Sequence, residues 1–109
     1  MTHRIALVTG CSRGVGAALS GELLRRGWRV HGISRSDAPA ELLEEGLVHH
    51  PLDLGDLEAV HRRFDSSFAS DLGLAAADQI ALVNNAGILA MAPTQALDLM
   101  EMDAAFRVN

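Results

Sequence analysis

The stretch Thr9-Gly10-Cys11-Ser12-Arg13-Gly14-Val15-Gly16, or TGCSRGVG, decides the fold. It follows a continuous apolar run at residues 5–8, which predicts a buried strand. Apolar residues at helical spacing then predict a helix with one buried stripe, made of Val15, Ala18, Leu19 and Leu23. The glycines allow a tight turn and close helix–strand packing, and the helix N-terminus offers free N–H groups to a pyrophosphate. A strand–turn–helix unit without a ligand is the alternative.

Further strands are predicted at residues 28–33, 47–52 and 80–83, with a helix after each of them. The second helix is short, and the third has an apolar face at Leu57, Val60, His61, Phe64 and Phe68. The fourth begins at Thr94 and is apolar on two opposite faces. Strands that alternate with helices predict one α/β domain with a parallel sheet covered on both faces. Pro51 favours an edge position for the third strand.

Composition excludes several functions. The formal net charge is −5, all nine basic residues are Arg, and the chain contains no Lys and no Tyr. The missing Lys excludes a Walker-type phosphate loop and Schiff-base chemistry. The acidic balance argues against a nucleic-acid partner, and no apolar run is long enough to span a membrane. A single cysteine, Cys11, excludes an internal disulfide and favours a cytoplasmic location.

Residues at the end of the second strand predict which nicotinamide cofactor binds. A carboxylate there would bind the ribose 2′-hydroxyl and repel a 2′-phosphate. This chain has Ser34 at the expected carboxylate position, followed by Arg35, and Arg13 lies in the glycine loop. Two guanidinium groups that converge on a phosphate favour NADP over NAD. The alternative is that both arginines are solvated surface charges.

Four motifs in order resemble those of the short-chain dehydrogenases/reductases. TGCSRGVG is similar to the family's TGxxxGxG motif, and Asp53-Leu54 resembles its adenine-contacting acidic position. The run NNAG at residues 84–87 resembles its motif beside the nicotinamide ribose, and Asn109 stands at its catalytic Asn. The expected cofactor-binding residues are therefore Gly10, Ser12, Arg13, Gly14, Val15, Gly16, Ser34, Arg35, Asp53, Leu54, Asn85, Ala86 and Gly87.

This resemblance implies a Rossmann-type, doubly wound parallel sheet of about four strands in the order 3-2-1-4. It also implies that residues 1–109 are the NADP-binding, N-terminal portion of an NADP-dependent oxidoreductase of the carbonyl reductase type. The family's catalytic Tyr and Lys, spaced as YxxxK, do not occur in this chain. We therefore expect this portion to be truncated and inactive alone.

The stretch around NNAG is similar to the benzil reductase and sepiapterin reductase branch, which implies a small-molecule carbonyl substrate. The resemblance also implies a homo-oligomer for the full-length enzyme. Two alternatives stay open: a module that senses NADP without chemistry, and a degenerate fragment that neither folds alone nor binds.

Neither the histidines nor the cysteine predicts a metal or nucleophile site. His49 and His50 are adjacent on a predicted strand, so they should point to opposite faces of the sheet. His3, His31 and His61 are scattered, and we interpret Cys11 as a small residue that fills the loop.

Overall fold

A computed structural model describes residues 2–86 of the chain. Strands and short helices alternate along these residues. The elements are β1 (Arg4–Thr9), α1 (Gly14–Arg25), β2 (Arg29–Ser34), α2 (Ala40–Glu44), β3 (Val48–Pro51), α3 (Leu57–Arg63), α4 (Ser66–Leu72), a 3₁₀ turn (Leu74–Ala76) and β4 (Gln79–Val83). The last predicted helix, Gly87 and Asn109 lie outside the described residues.

The strands form one parallel sheet in the order β3-β2-β1-β4. β1 lies in the interior of the sheet because it pairs with β2 on one side and with β4 on the other. This confirms the expected α/β architecture and the strand order 3-2-1-4. The strand ends differ from the predicted ones by one residue at most, and β3, which ends at Pro51, lies at an edge as expected.

Helices cover both faces of the sheet, and each face has its own apolar core. The core under α1 and α2 contains Ala6, Val8, Cys11, Val30, Ala38, Leu42 and Leu47. The core on the opposite face, under α4, contains Ile33, Leu52, Phe68 and Leu72. Alternate residues of β1 and β2 face the two cores, which explains why these strands are apolar runs without polar alternation.

The buried stripe predicted for α1 is wrong in part. Val15 is 73% exposed, whereas Gly16, Ser20 and Gly21 are the buried residues of the helix. The Ser20 hydroxyl donates to the Gly16 carbonyl at 2.7 Å, so its burial leaves no hydrogen-bonding group unpaired. Small side chains let the helix approach the sheet closely. Side-chain size therefore determines which residues of α1 face the sheet more than hydrophobicity does.

The third predicted helix is in fact two helices. α3 ends before Phe64, and Asp65 caps a new helix by accepting hydrogen bonds from the backbone N–H groups of Ser67 and Phe68. A hydrogen bond from the Ser67 side chain holds the pKa of Asp65 below its usual range. Phe68 is buried by this arrangement, while Leu57 and Phe64 from the predicted apolar face are about half exposed.

The adjacent histidines of β3 point to opposite faces of the sheet, as predicted. His49 Nε2 lies 2.8 Å from Ser34 Oγ, and His50 Nε2 lies 2.9 Å from His31 Nδ1 on the other face. Within residues 2–86, no group of three or more His, Cys, Asp or Glu side chains is placed to hold a metal ion. The described helices include none that is long and apolar enough to cross a bilayer.

Candidate functional site

A cleft of about 480 Å³ lies at the carboxyl edge of the sheet, where ligands bind in open parallel α/β folds. The segments that follow all four described strands contribute to it, because parallel strands end at the same edge. Its lining residues are Gly10, Ser12, Arg13, Ile33, Ser34, Arg35, Ser36, Asp37, Leu52, Asp53, Leu54, Asn85 and Ala86.

Most of the predicted cofactor-binding residues line this cleft. Gly14, Val15 and Gly16 are not among the lining residues and instead form the first turn of α1. Gly87 and the predicted catalytic Asn109 lie outside the described residues. Four further residues line the cleft although no motif in the sequence indicated them: Ile33, Ser36, Asp37 and Leu52.

The glycine loop is held by close backbone packing at Gly10. This residue has a φ of +73° and donates its N–H to the Ile33 carbonyl at 2.7 Å, which joins the loop to the end of β2. A Cβ at Gly10 would lie 2.9 Å from Ala86 Cα, and a Cβ at Gly16 would collide with the Gly10 carbonyl oxygen. The loop therefore needs glycine at both positions, one for its backbone angle and one for space.

The N-terminus of α1 is free of competing groups on its own helix. Arg13 is the N-cap residue and makes no side-chain capping hydrogen bond, and the first turn carries no acidic residue. Gly14 has a φ of +62°, and among the described residues no atom beyond its chain neighbours and its own helix backbone lies within 4 Å of a Cβ placed there. The first N–H groups of a helix lack partners within it and carry partial positive charge. This turn can therefore bind an anion.

Thr9 connects the glycine loop to the segment after β4. Its hydroxyl oxygen accepts hydrogen bonds from the backbone N–H groups of Asn85 and Ala86, each at 3.0 Å, and donates to the Val83 carbonyl at 3.3 Å. The Asn85 side-chain amide also donates to the Gly10 carbonyl at 3.2 Å. These bonds hold the glycine loop and the segment after β4 together at one end of the cleft. Asn85 contributes to this link through both its backbone N–H and its side-chain amide.

Within residues 2–86, the charged side chains that line the cleft are two arginines and two aspartates. Arg13 and Arg35 contribute positive charge, while Asp37 and Asp53 contribute negative charge. The Asp53 carboxylate accepts the Gly55 backbone N–H at 2.9 Å, which fixes the turn after β3. Asp37 belongs to none of the motifs found in the sequence, yet it lines the cleft.

A histidine pair, the buried His31 and the half-buried His50, lies on the α4 face of the sheet, outside the cleft lining. His31 is only 4% exposed, and burial, with the nearby His50 and Arg29, lowers its pKa to about 4. The pKa of His50 is also lowered, first by burial and then by Arg63. Among the described residues, His31 Nε2 is a buried nitrogen without a hydrogen-bond partner. Spacing in the sequence gave no sign of this pair, because it forms between neighbouring strands.

Comparison with known proteins gives a family match over almost the whole chain. The family model described as short chain dehydrogenase matches residues 4–109. D-threitol dehydrogenase of Mycolicibacterium smegmatis is 32% identical, over 97% of this chain and 42% of its own length. Benzil reductase of Bacillus subtilis is 31% identical, over 76% of this chain and 33% of its own length. The chain thus spans less than half the length of these two relatives.

Solved structures give the same fold. A short-chain dehydrogenase/reductase from Burkholderia vietnamiensis superimposes with a TM-score of 0.89 at 33% identity, over 97% of this chain and 52% of its own. A metagenomic short-chain oxidoreductase in complex with NADP superimposes with a TM-score of 0.75 at 29% identity, over 99% of this chain and 50% of its own.

Proposed function

We propose that this chain, which belongs to the short-chain dehydrogenase family, is the NADP-binding portion of an oxidoreductase that reduces small-molecule carbonyl compounds. The observation that carries the cofactor assignment is the end of β2. Its last residue is Ser34, not a carboxylate, and Arg35 follows it into the same cleft that Arg13 lines.

The residues of the cleft fit a dinucleotide. The uncapped N-terminus of α1 would hold the pyrophosphate, because its N–H groups and dipole favour a dianion and no acidic side chain of its first turn opposes it. The open space at Gly14 leaves room for phosphate oxygens close to the backbone. Asp53 and Leu54 line the cleft beyond β3, where they would contact the adenine.

Arg13 and Arg35 are the groups in the cleft that favour NADP, through its 2′-phosphate. Arg13 and Arg35 would neutralise this phosphate and bind its oxygens through several N–H groups. Asp37 opposes this preference, since it places a carboxylate in the same cleft. The two guanidinium groups and the absence of a carboxylate at Ser34 outweigh it. The metagenomic relative in complex with NADP adds support from the same family.

The bound cofactor would supply a hydride to a carbonyl carbon, and a proton on the oxygen would complete the alcohol. This chain has no Tyr and no Lys to deliver or tune that proton. Residues 1–109 therefore bind and orient the cofactor, and we assign Asn109 to the proton pathway by family resemblance. The same resemblance implies a homo-oligomer for the full-length enzyme, and the single cysteine favours a cytoplasmic location.

A module that binds NADP without chemistry is the second candidate. The lack of Tyr and Lys in residues 1–109 does not separate the two candidates, because a sensor and the N-terminal portion of a reductase can both lack these residues. Both candidates would bind NADP, but only the reductase would turn over a carbonyl substrate. A diketone such as benzil is a suitable probe substrate, because one relative is named benzil reductase.

The test measures NADPH and NADH affinities of the full-length protein by fluorescence titration, and turnover by loss of NADPH absorbance with benzil. We expect NADPH to bind at least about tenfold more tightly, and Arg35→Asp to reverse the order. Arg62→Asp makes the same charge change on α3, outside the cleft lining, and should leave the order unchanged. If NADPH and NADH bound with equal affinity in the wild type and again in Arg35→Asp, the cofactor assignment would be refuted. Tight binding without turnover of any carbonyl compound would favour the sensor.

A further inference from the structure

The Ser34 side chain is enclosed by hydrogen-bonding groups from three segments of the chain. Ser34 is 7% exposed, and its oxygen lies 2.6 Å from the Ser36 carbonyl oxygen, 2.8 Å from His49 Nε2 and 3.5 Å from Cys11 Sγ. A hydroxyl has one proton to donate and two lone pairs that accept. The three contacts therefore occupy all of its hydrogen-bonding positions.

The direction of each bond follows from the chemistry of the partners. A carbonyl oxygen only accepts, so Ser34 donates its single proton to Ser36. His49 Nε2 must then donate to the Ser34 oxygen, which places a proton on Nε2 of the His49 ring. The Cys11 thiol donates to the remaining lone pair as a weak donor. Ser34 has no position left for a ligand while this network is intact.

We infer that His49 is a positioning residue for cofactor selection: by donating from Nε2 it fixes the Ser34 hydroxyl on the Ser36 carbonyl, and so holds the turn that presents Arg35. This inference rests on the proposed NADP function. Arg35 lies between the two bonded residues, and Ser34, Arg35 and Ser36 all line the cleft. His49 lies behind them on β3, paired with Gly32 in the register of the sheet, and is outside the cleft lining.

A positioning role through Arg35 predicts a selective effect. The 2′-phosphate is the part of the cofactor that Arg35 would contact, and NADH lacks it. Loosening the turn should therefore weaken NADPH binding and leave NADH binding nearly unchanged. A residue that served only the stability of the sheet would affect both cofactors equally.

The experiment compares three variants in the full-length protein. His49→Leu removes the donor, His49→Gln keeps a side-chain N–H at a similar reach, and His61→Leu makes the same change at an exposed residue of α3. We expect His49→Leu to lower NADPH affinity by about fivefold to tenfold, as for the loss of one neutral hydrogen bond, and NADH affinity by less than about twofold. His49→Gln should restore NADPH affinity to within about twofold of the wild type.

Three results would overturn the inference: equal losses for both cofactors, no loss in His49→Leu, or no rescue by His49→Gln. A second measurement is independent of the cofactor. The ¹⁵N shifts of the His49 ring should show a protonated Nε2 in the wild type and should change in Ser34→Ala. A neutral His49 with its proton on Nδ1 would refute the network even if NADPH were preferred. A different result is a wild type that shows no NADPH preference but has a protonated His49 Nε2 whose shift responds to Ser34→Ala. That result would refute the proposed function and its link to Arg35, while the His49–Ser34–Ser36 bonds would stand.

Discussion

The hydroxyl oxygen of Thr9 lies 3.0 Å from the backbone nitrogen of Asn85 and accepts its hydrogen bond. The first residue of the TGxxxGxG motif is therefore a structural link between the ends of β1 and β4. The threonine of this motif fixes the segment after β4 beside the glycine loop.

Replacing Thr9 by valine should destabilise the protein. Valine has the same shape but cannot accept from Asn85 and Ala86, so two N–H groups lose their partner in a partly buried region. We expect the free energy of unfolding to fall by about 2 kcal/mol or more, measured by urea denaturation. Thr9→Ser keeps the hydroxyl and should lose less than about 1 kcal/mol. Equal losses in the two variants would contradict this role of the hydroxyl.

Gly16→Ala should be among the most damaging small substitutions in the described part of the chain. The new methyl group would collide with the Gly10 carbonyl oxygen, which is backbone and cannot rotate away. We expect a loss of about 3 kcal/mol or more. The matched control is Gly46→Ala, where φ is +109° but a Cβ would meet no atom of another described residue within 4 Å, so only backbone strain of about 1–2 kcal/mol applies. A Gly16→Ala protein as stable as Gly46→Ala would show that the loop relaxes.

Neutralising Asp37 should strengthen NADPH binding. Its carboxylate lines the same cleft as Arg13 and Arg35 and would repel the 2′-phosphate of the proposed cofactor. We expect Asp37→Asn to raise NADPH affinity about twofold to fivefold and to change NADH affinity little, with the gain shrinking at high salt. Glu44→Gln removes the same charge from the exposed end of α2 and is the control. A gain for both cofactors alike would place Asp37 away from the 2′-phosphate.

The buried His31 should make stability depend on pH. Its pKa is 6.5 when unperturbed and about 4 in the folded protein, so in this window the unfolded chain binds a proton that the folded chain excludes. The contribution of the neutral His31 to the free energy of unfolding is therefore fully present above pH 6.5. It is lost as the pH falls to 4 and below, and this loss amounts to about 3 kcal/mol. Denaturation at several pH values should give a shallower slope for His31→Leu than for the wild type. The exposed His61 serves as control, and His61→Leu should keep the wild-type slope.

The sequence predicted the sheet well because its strands are short apolar runs bounded by glycine and polar residues. It predicted the order of elements and the edge position of β3 for the same reason. It predicted the cleft mainly through TGCSRGVG and NNAG, whose residues lie at strand ends. Parallel strands bring such ends together, so spacing along the chain is enough to find them.

The incorrect or missing sequence predictions have physical causes that hydrophobic periodicity does not report. On α1, Val15 points to solvent while Ser20 is buried, because close approach to the sheet requires small residues. Asp65 caps a new helix within a stretch whose apolar pattern predicts a single continuous helix. The His31–His50 pair and the His49–Ser34 bond each join two strands, and such partners are known only once the register is known.

The link from Thr9 to Asn85 and Ala86 spans 76 and 77 positions of the chain. A ribosome synthesises β1 and the glycine loop first, yet the partners that hold this loop emerge only after β4. A nascent chain that ends at β3 thus carries the glycine loop without the hydrogen bonds that join it to the segment after β4. We therefore expect the loop to reach its final shape only when β4 has joined the sheet beside β1.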